Sequence, residues 1–238
     1  MTDLISNLKS SYPKFTLTQP STGKTIYYRP FTVKEEKSLI LGKELGKYAD
    51  FLLTITDIVD NCFSDGNIKI NSKNLPIFDV EYMFLKIREK SISEIIKISF
   101  VCPTTKQTIK SQINIMDIQI KKQDNPRNIK ISDDIIVNMK YPSFEYLIEN
   151  ATSNEEGNID VFDMVLSSID SIQTKDGILT DLNKQTLNEF VDNLTKQQYQ
   201  KILDFFVKSP KIEHTVKYVT DDGVEREITF RGIKDFFQ

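Results

Sequence analysis

The chain has 238 residues, of which 39% are hydrophobic and 27% charged, so it has a globular composition and enough length to bury a core. No apolar run approaches the roughly 18 residues that a membrane-spanning helix needs, so the sequence predicts no membrane anchor. Acidic Asp3 lies near the start and no long apolar stretch follows it, which argues against a secretory signal peptide. We expect synthesis and folding inside the cell.

The chain has a formal net charge of −3, and its charged residues are distributed unevenly. Residues 1–128 hold 19 Lys and Arg against 14 Asp and Glu, whereas residues 129–238 hold 12 against 20. This split favours contact with a partner of opposite charge. Because the lysines are spread singly rather than clustered with aromatic residues, we expect no nucleic-acid partner. DNA binding through the first half is the alternative, and it would be strongly salt-dependent.

The N-terminal part predicts a hairpin followed by two helices. Residues 15–18 alternate in polarity, residues 20–23 form a turn, and residues 24–29 return as a strand. A capping-box spacing predicts a helix from Thr32 to about Gly46. The apolar residues of the second helix recur at helical spacing: Leu52, Ile55, Ile58, Val59 and Cys62.

A third helix and a second hairpin complete the first half. Residues 61–74 are polar and turn-rich, and residues 78–90 predict a helix. Its apolar stripe is Val80, Met83, Phe84 and Ile87. Residues 94–101 and 107–120 are rich in Ile and flank a short turn, which predicts a hairpin. Residues 121–128 are the most linker-like stretch, so we place a module boundary there.

The second half predicts short strands, helices and a final hairpin. Strands are expected at residues 129–131 and 135–140, followed by a helix that Ser143 caps. Residues 212–230 form a closing hairpin around the turn signal Asp221-Asp222-Gly223. Two helical stripes lie between them, the second after a capping-box spacing at Thr195: Phe162, Val165, Leu166 and Ile169, then Tyr199, Ile202, Leu203 and Phe206.

These elements predict an α+β protein in which β-hairpins pack with helices in two modules. Residues 1–128 would form an N-terminal module of two hairpins and three helices. Residues 129–238 would form a mostly helical C-terminal module with the closing β-hairpin.

Gly23-Lys24-Thr25 matches the end of a phosphate-binding loop. The full motif needs glycine where this chain has Thr18, and it needs a helix after the lysine, whereas a strand is predicted there. A hairpin turn is therefore favoured. A nucleotide-binding enzyme that uses this turn is the alternative from another class of function.

The remaining residues that could support catalysis or metal binding do not form a site in the sequence. His214, the only histidine, lies on a predicted strand, and no nucleophile motif accompanies it. Cys62 and Cys102 lie in unrelated contexts, and with one histidine they cannot fill the four positions of a usual zinc site. We expect no enzymatic activity, no catalytic residue, no cofactor, no metal and no small-molecule substrate.

Eight segments occur in an order that is similar to one protein family. They are residues 20–24, 29–31, 33–37, 75–85, 88–91, 139–143, 208–216 and 232–237. Together they resemble the baseplate hub subunits, or hub assembly proteins, of T-even-like contractile-tailed phages, including those of cyanobacteria. The resemblance covers residues 15–238, and the combination of segments carries it rather than any one of them.

The resemblance implies a structural virion protein, made late in infection, that acts by protein–protein binding during tail assembly. Its partners would be other baseplate hub proteins, with the tail tube or tape-measure protein as further candidates. It would reside in the tail baseplate of the virion after assembly in the host cytoplasm. A chaperone for hub assembly that leaves before the tail matures is the alternative.

The resemblance carries over no catalytic residue. Some relatives place extra cysteines near the position of Cys102, where this chain has Thr104 and Thr105. A metal role in those relatives is therefore not transferred to this chain.

Phe236 and Phe237 are the candidate residues for a protein interface. Large aromatic side chains at a terminus either dock on their own chain or remain available to a partner. Docking on the chain itself is the favoured interpretation, and anchoring a partner is the functional hypothesis for these two residues.

Overall fold

The structure, a computed structural model, describes residues 2–44, 46–65, 68–121, 125–153 and 159–236 and has the predicted mixed α+β fold. The chain divides into two compact units. The first unit comprises Met1–Lys121 and Lys211–Gln238, and the second unit comprises Lys122–Pro210.

The elements follow one another along these units. Up to Lys121 they are α1 (Thr2–Ser10), β1 (Phe15–Thr18), β2 (Thr25–Tyr28), α2 (Val33–Glu44), α3 (Tyr48–Cys62), β3 (Phe63–Asp65), β4 (Ile68–Lys69), α4 (Ile77–Ser91), β5 (Ile95–Val101), β6 (Thr108–Asn114) and β7 (Gln119–Lys121). The second unit contains β8 (Asn128–Lys130), β9 (Ile136–Met139), α5 (Phe144–Ser153), α6 (Val161–Ser168), β10 (Ile169–Thr174), β11 (Gly177–Leu179), α7 (Lys184–Asp192) and α8 (Lys196–Lys208). The first unit closes with β12 (Lys211–Val219), β13 (Glu225–Arg231) and α9 (Gly232–Phe236).

The opening hairpin is confirmed. β1 and β2 pair antiparallel, with Phe15 opposite Tyr28. The turn needs glycine because Gly23 has a φ of +72°, a left-handed conformation that side chains with a Cβ disfavour. This hairpin is one edge of a sheet whose strand order is β1-β2-β3-β4.

Helices α3 and α4 supply much of the core of the first unit, as their apolar spacing predicted. Every residue of the two predicted stripes is buried: Leu52, Ile55, Ile58, Val59, Cys62, Val80, Met83, Phe84 and Ile87.

Helix α2 begins as expected after Thr32, whose backbone N–H donates to the Glu35 carboxylate at 2.6 Å. Arg29 also donates to both oxygens of that carboxylate, at 2.7 and 2.9 Å.

The second unit is built on a sheet of strand order β11-β10-β9-β8, to which helices α6, α7 and α8 add buried side chains. Its core includes Val137, Val165, Ile202 and Phe205. Ser143 caps α5 and Thr195 forms a complete capping box at α8, so both predicted helix starts are confirmed.

The prediction of a mostly helical second half included strands β8 and β9 but missed β10 and β11, the other two strands of this sheet. Ile169, which was placed on a helical stripe, is the first residue of β10, and α6 ends one residue earlier at Ser168. The side chain of Ile169 is buried in either assignment, so its apolar character alone could not distinguish helix from strand.

The closing hairpin lies in the first unit rather than in a C-terminal module. Strand β12 pairs antiparallel with β7, with Lys211 opposite Lys121 and Ile212 opposite Ile120. The compact units therefore differ from the modules predicted at residues 1–128 and 129–238, because this pairing joins segments some 90 residues apart in sequence.

Residues 122–124 of the predicted linker lie outside the part of the chain that the structure describes. Within it, no helix has the length and apolarity that a bilayer crossing would require.

Candidate functional site

The C-terminal segment contains the residues that the sequence marked as interface anchors. Phe236 is buried at 2% exposure, and its ring centroid lies 6.4 Å from that of Phe230. Leu85 and Ile212 belong to the same buried cluster. Phe237 lies outside the described residues. A role for Phe236 and Phe237 at a partner interface stays a prediction.

A buried carboxylate binds the start of α9. The Ile233 N–H donates to Glu81 Oε1 at 2.9 Å, and Glu81 is only 7% exposed. Gly232 has a φ of +62°, and a Cβ at this position would lie 2.8 Å from Glu81 Oε1. The glycine is therefore required both for its backbone conformation and for the close approach of the carboxylate.

Burial governs the electrostatics of this site. It raises the pKa of Glu81 to about 7, against the opposing hydrogen bond from Ile233, and the nearby Asp235 adds to the rise. Burial, with Glu81 and Asp235 nearby, also raises the pKa of Tyr48 above its ordinary value. The Nζ atom of Lys234 lies 5.2 Å from the centre of the Tyr48 ring, a cation–π contact.

Because the pKa of Glu81 is raised, the stability of the folded protein is expected to depend on pH. The folded state binds the Glu81 proton more tightly than the unfolded state, so stability declines as pH rises from 4.5 to about 7. We expect this group to lower the free energy of unfolding by on the order of 3 kcal/mol across that window.

Urea unfolding of the protein and of Glu81→Gln, measured at both ends of the window, checks this expectation. Glutamine keeps an oxygen acceptor for Ile233 but does not titrate, so the slope should be smaller in the variant. Equal slopes in the two proteins would assign the pH dependence to another group.

The turn at residues 20–23 holds a carboxylate of the chain itself. Gln19 Nε2 donates to Asp79 Oδ2 at 2.7 Å, and the backbone N–H of Ser21 donates to Asp79 Oδ1 at 3.0 Å. The Ser21 hydroxyl also donates to Asp79. Asp79, near the start of α4, is fully buried.

These contacts leave little support for the nucleotide alternative. Thr25 begins strand β2, where a phosphate-binding loop would require a helix. The side chain of Gln19 and the backbone and hydroxyl of Ser21 donate to Asp79, so these donors of the turn are not available to a phosphate.

The histidine and the cysteines are placed apart. His214 lies on strand β12 opposite Phe230, as the strand prediction required. Cys62 and Cys102 are free and buried, and burial raises the pKa of Cys62 to about 12. Hydrogen bonds from Thr105 and from the Tyr218 hydroxyl, which lies 3.4 Å from Sγ, lower the pKa of Cys102 to about 6. Over the described ranges, no group of three His, Cys, Asp or Glu residues is arranged to hold a metal ion.

Large apolar side chains are exposed on the first two helices. Helix α1 exposes Leu4, Ile5 and Leu8, and helix α2 exposes Val33, Ile40 and Leu41. Several large apolar side chains that are exposed on one helix can form a protein–protein contact site. These helices are therefore candidate interaction surfaces.

The model of the T4 bacteriophage base plate protein family matches residues 12–238. This chain belongs to that family. The match includes all the strands and every helix after α1, so it extends over both units. No curated protein and no solved structure matches the chain.

Membership of this family confirms the prediction that the chain is a phage baseplate protein. A baseplate protein is a structural component of the virion tail and binds other baseplate proteins. The finer assignment to the hub goes beyond the family match.

Proposed function

We propose that this protein is a structural subunit of the baseplate hub of a contractile phage tail, acting by protein–protein binding during tail assembly. The family match over residues 12–238 is the observation that carries the baseplate part of the proposal. The resemblance of the ordered segments to hub subunits supports the hub part.

The surface of the protein is suited to such binding. Exposed apolar side chains on α1 and α2 provide area that a partner can bury. The first unit holds 22 Lys and Arg against 19 Asp and Glu, and the second holds 9 against 15. Partners of opposite charge would be attracted to different units, which favours a fixed orientation in an assembly.

The proposed partners are other hub proteins, with the tail tube or tape-measure protein as further candidates. The protein would be made in the host cytoplasm late in infection and then become part of the tail. The proposal includes no enzymatic step, cofactor or metal.

Mass spectrometry of purified virions tests the proposal. We expect this chain in intact particles, and in the baseplate fraction after particles are dissociated. Its absence from particles, together with its presence in assembly intermediates, would favour the hub-assembly chaperone over the structural subunit.

A further inference from the structure

A groove runs along the free edge of the first sheet. Among the residues that the structure describes, β1 is the outermost strand of the order β1-β2-β3-β4. An open cleft of about 540 Å³ lies along β1 and is lined on its other side by helix α4, through Tyr82, Lys86 and Lys90. A cleft between an edge strand and a helix has the shape that accepts an extended peptide.

The backbone of β1 has hydrogen-bonding groups that face this edge. The Gln19 N–H donates to the Lys24 carbonyl at 2.8 Å, on the side of β2. Because an antiparallel ladder alternates, Phe15 and Leu17 also bond towards β2. The N–H and C=O groups of Thr16 and Thr18 therefore point to the open edge, and both residues are exposed.

The groove carries an excess of positive charge. Lys14, Lys86 and Lys90 line it together with a single acid, Glu89. Glu89 lies 2.7 Å from Lys86 Nζ and 2.8 Å from Lys90 Nζ, so one buried carboxylate is shared by two lysines. Glu94, 4.0 Å from Lys90, is a second and more exposed acid at the margin.

Aromatic rings hold two of these lysines along the groove. Lys90 Nζ lies 5.6 Å from the Phe15 ring centre, and Lys86 Nζ lies 5.6 Å from that of Tyr82. Side chains held in this way lose less conformational entropy when a ligand binds.

We propose that this groove binds an extended acidic segment of another baseplate protein, which adds to β1 as a fifth strand. Its backbone would pair with Thr16 and Thr18, and its carboxylates would contact Lys14, Lys86 and Lys90. Strand β1 is about 13 Å long, which suits a segment of four to six residues. The inference deepens the proposed function and rests on it for the identity of the partner.

A purified-protein assay tests the groove without the phage. The probe is a fluorescent hexapeptide that alternates Glu and Val, and the comparison peptide alternates Lys and Val. Anisotropy titrations of the full chain should show saturable binding of the acidic peptide below about 1 mM and at least about tenfold weaker binding of the basic one. Hydrogen exchange should slow at the amides of Thr16 and Thr18 when the acidic peptide is bound.

Two substitutions separate the backbone contribution from the charge contribution. Thr16→Pro removes the outward N–H and should weaken binding about tenfold, whereas Thr16→Val keeps it and should bind normally. Lys14→Glu should also weaken binding about tenfold, whereas Lys24→Glu, the same charge change in the turn just before β2, should not. If the Thr16→Pro variant does not fold, the comparison of Lys14→Glu with Lys24→Glu still tests the proposal.

Several results would overturn the proposal. They are no binding at about 1 mM, equal binding of both peptides, or unchanged binding to both Thr16→Pro and Lys14→Glu. Dimerisation of the chain that Thr16→Pro abolishes would assign the groove to a second copy instead. Since this assay contains no other phage protein, its outcome is independent of whether virions contain the protein.

Discussion

Replacing Phe236 with alanine is expected to lower the free energy of unfolding by about 3–5 kcal/mol, the usual cost of deleting a buried phenylalanine. Its ring is 2% exposed and packs in a cluster with Leu85, Ile212 and Phe230. The loss would leave a cavity between α4, α9 and the closing hairpin. Urea unfolding monitored by circular dichroism measures the effect.

The matched control for Phe236 is Tyr27→Ala, because Tyr27 is an aromatic residue that is 50% exposed. Its effect should stay below about 1 kcal/mol. Truncation after Ile233 should destabilise the chain at least as much as Phe236→Ala. If either change leaves stability intact but prevents tail assembly, the C-terminal aromatics act on a partner, and the burial of Phe236 contributes little to folding.

Replacing Asp79 with alanine is expected to lower the free energy of unfolding by about 3 kcal/mol. The change removes an acceptor that serves Gln19, the backbone of Ser21 and the Ser21 hydroxyl. Buried donors without an acceptor cost more than the hydrogen bond itself, and bonds to a charged group are the strongest of this kind. The opening hairpin should then separate from α4.

Asp57→Ala provides the control for Asp79, since Asp57 is an exposed acid on α3. A double-mutant cycle of Asp79→Ala with Ser21→Ala should show coupling of about 1–2 kcal/mol, because the two residues share hydrogen bonds. Additive effects would mean that Asp79 stabilises α4 independently of the hairpin turn.

Local signals in the sequence predicted the local structure well. Two hairpin turns, around Gly23 and Gly223, were predicted because a positive φ selects glycine in a tight turn. The capping box at Thr195 and the apolar stripe of α4 were found because they depend on residues three or four positions apart.

Contacts between distant segments could not be predicted in this way. The pairing of β7 with β12 joins Ile120 to Ile212, and nothing within either segment specifies the other. Strand β10 was missed because Ile169 follows α6 directly, with no turn residue between helix and strand.

The same limit applies to the candidate sites. Glu81 lies on an amphipathic helix, where an acid normally faces solvent, and its burial depends on a glycine 151 positions later in the chain. The groove along β1 forms because β1 lies beside α4, and the spacing of apolar residues in the sequence does not predict that packing. Gly232 was the one local clue, since a glycine that directly follows a strand indicates an unusual backbone conformation.

A cryo-EM map of the purified baseplate tests the hub assignment most directly. We expect density that fits the two units of this chain within the hub, in contact with other hub proteins. Density for this fold at the periphery of the baseplate, or none in a complete baseplate, would contradict the assignment.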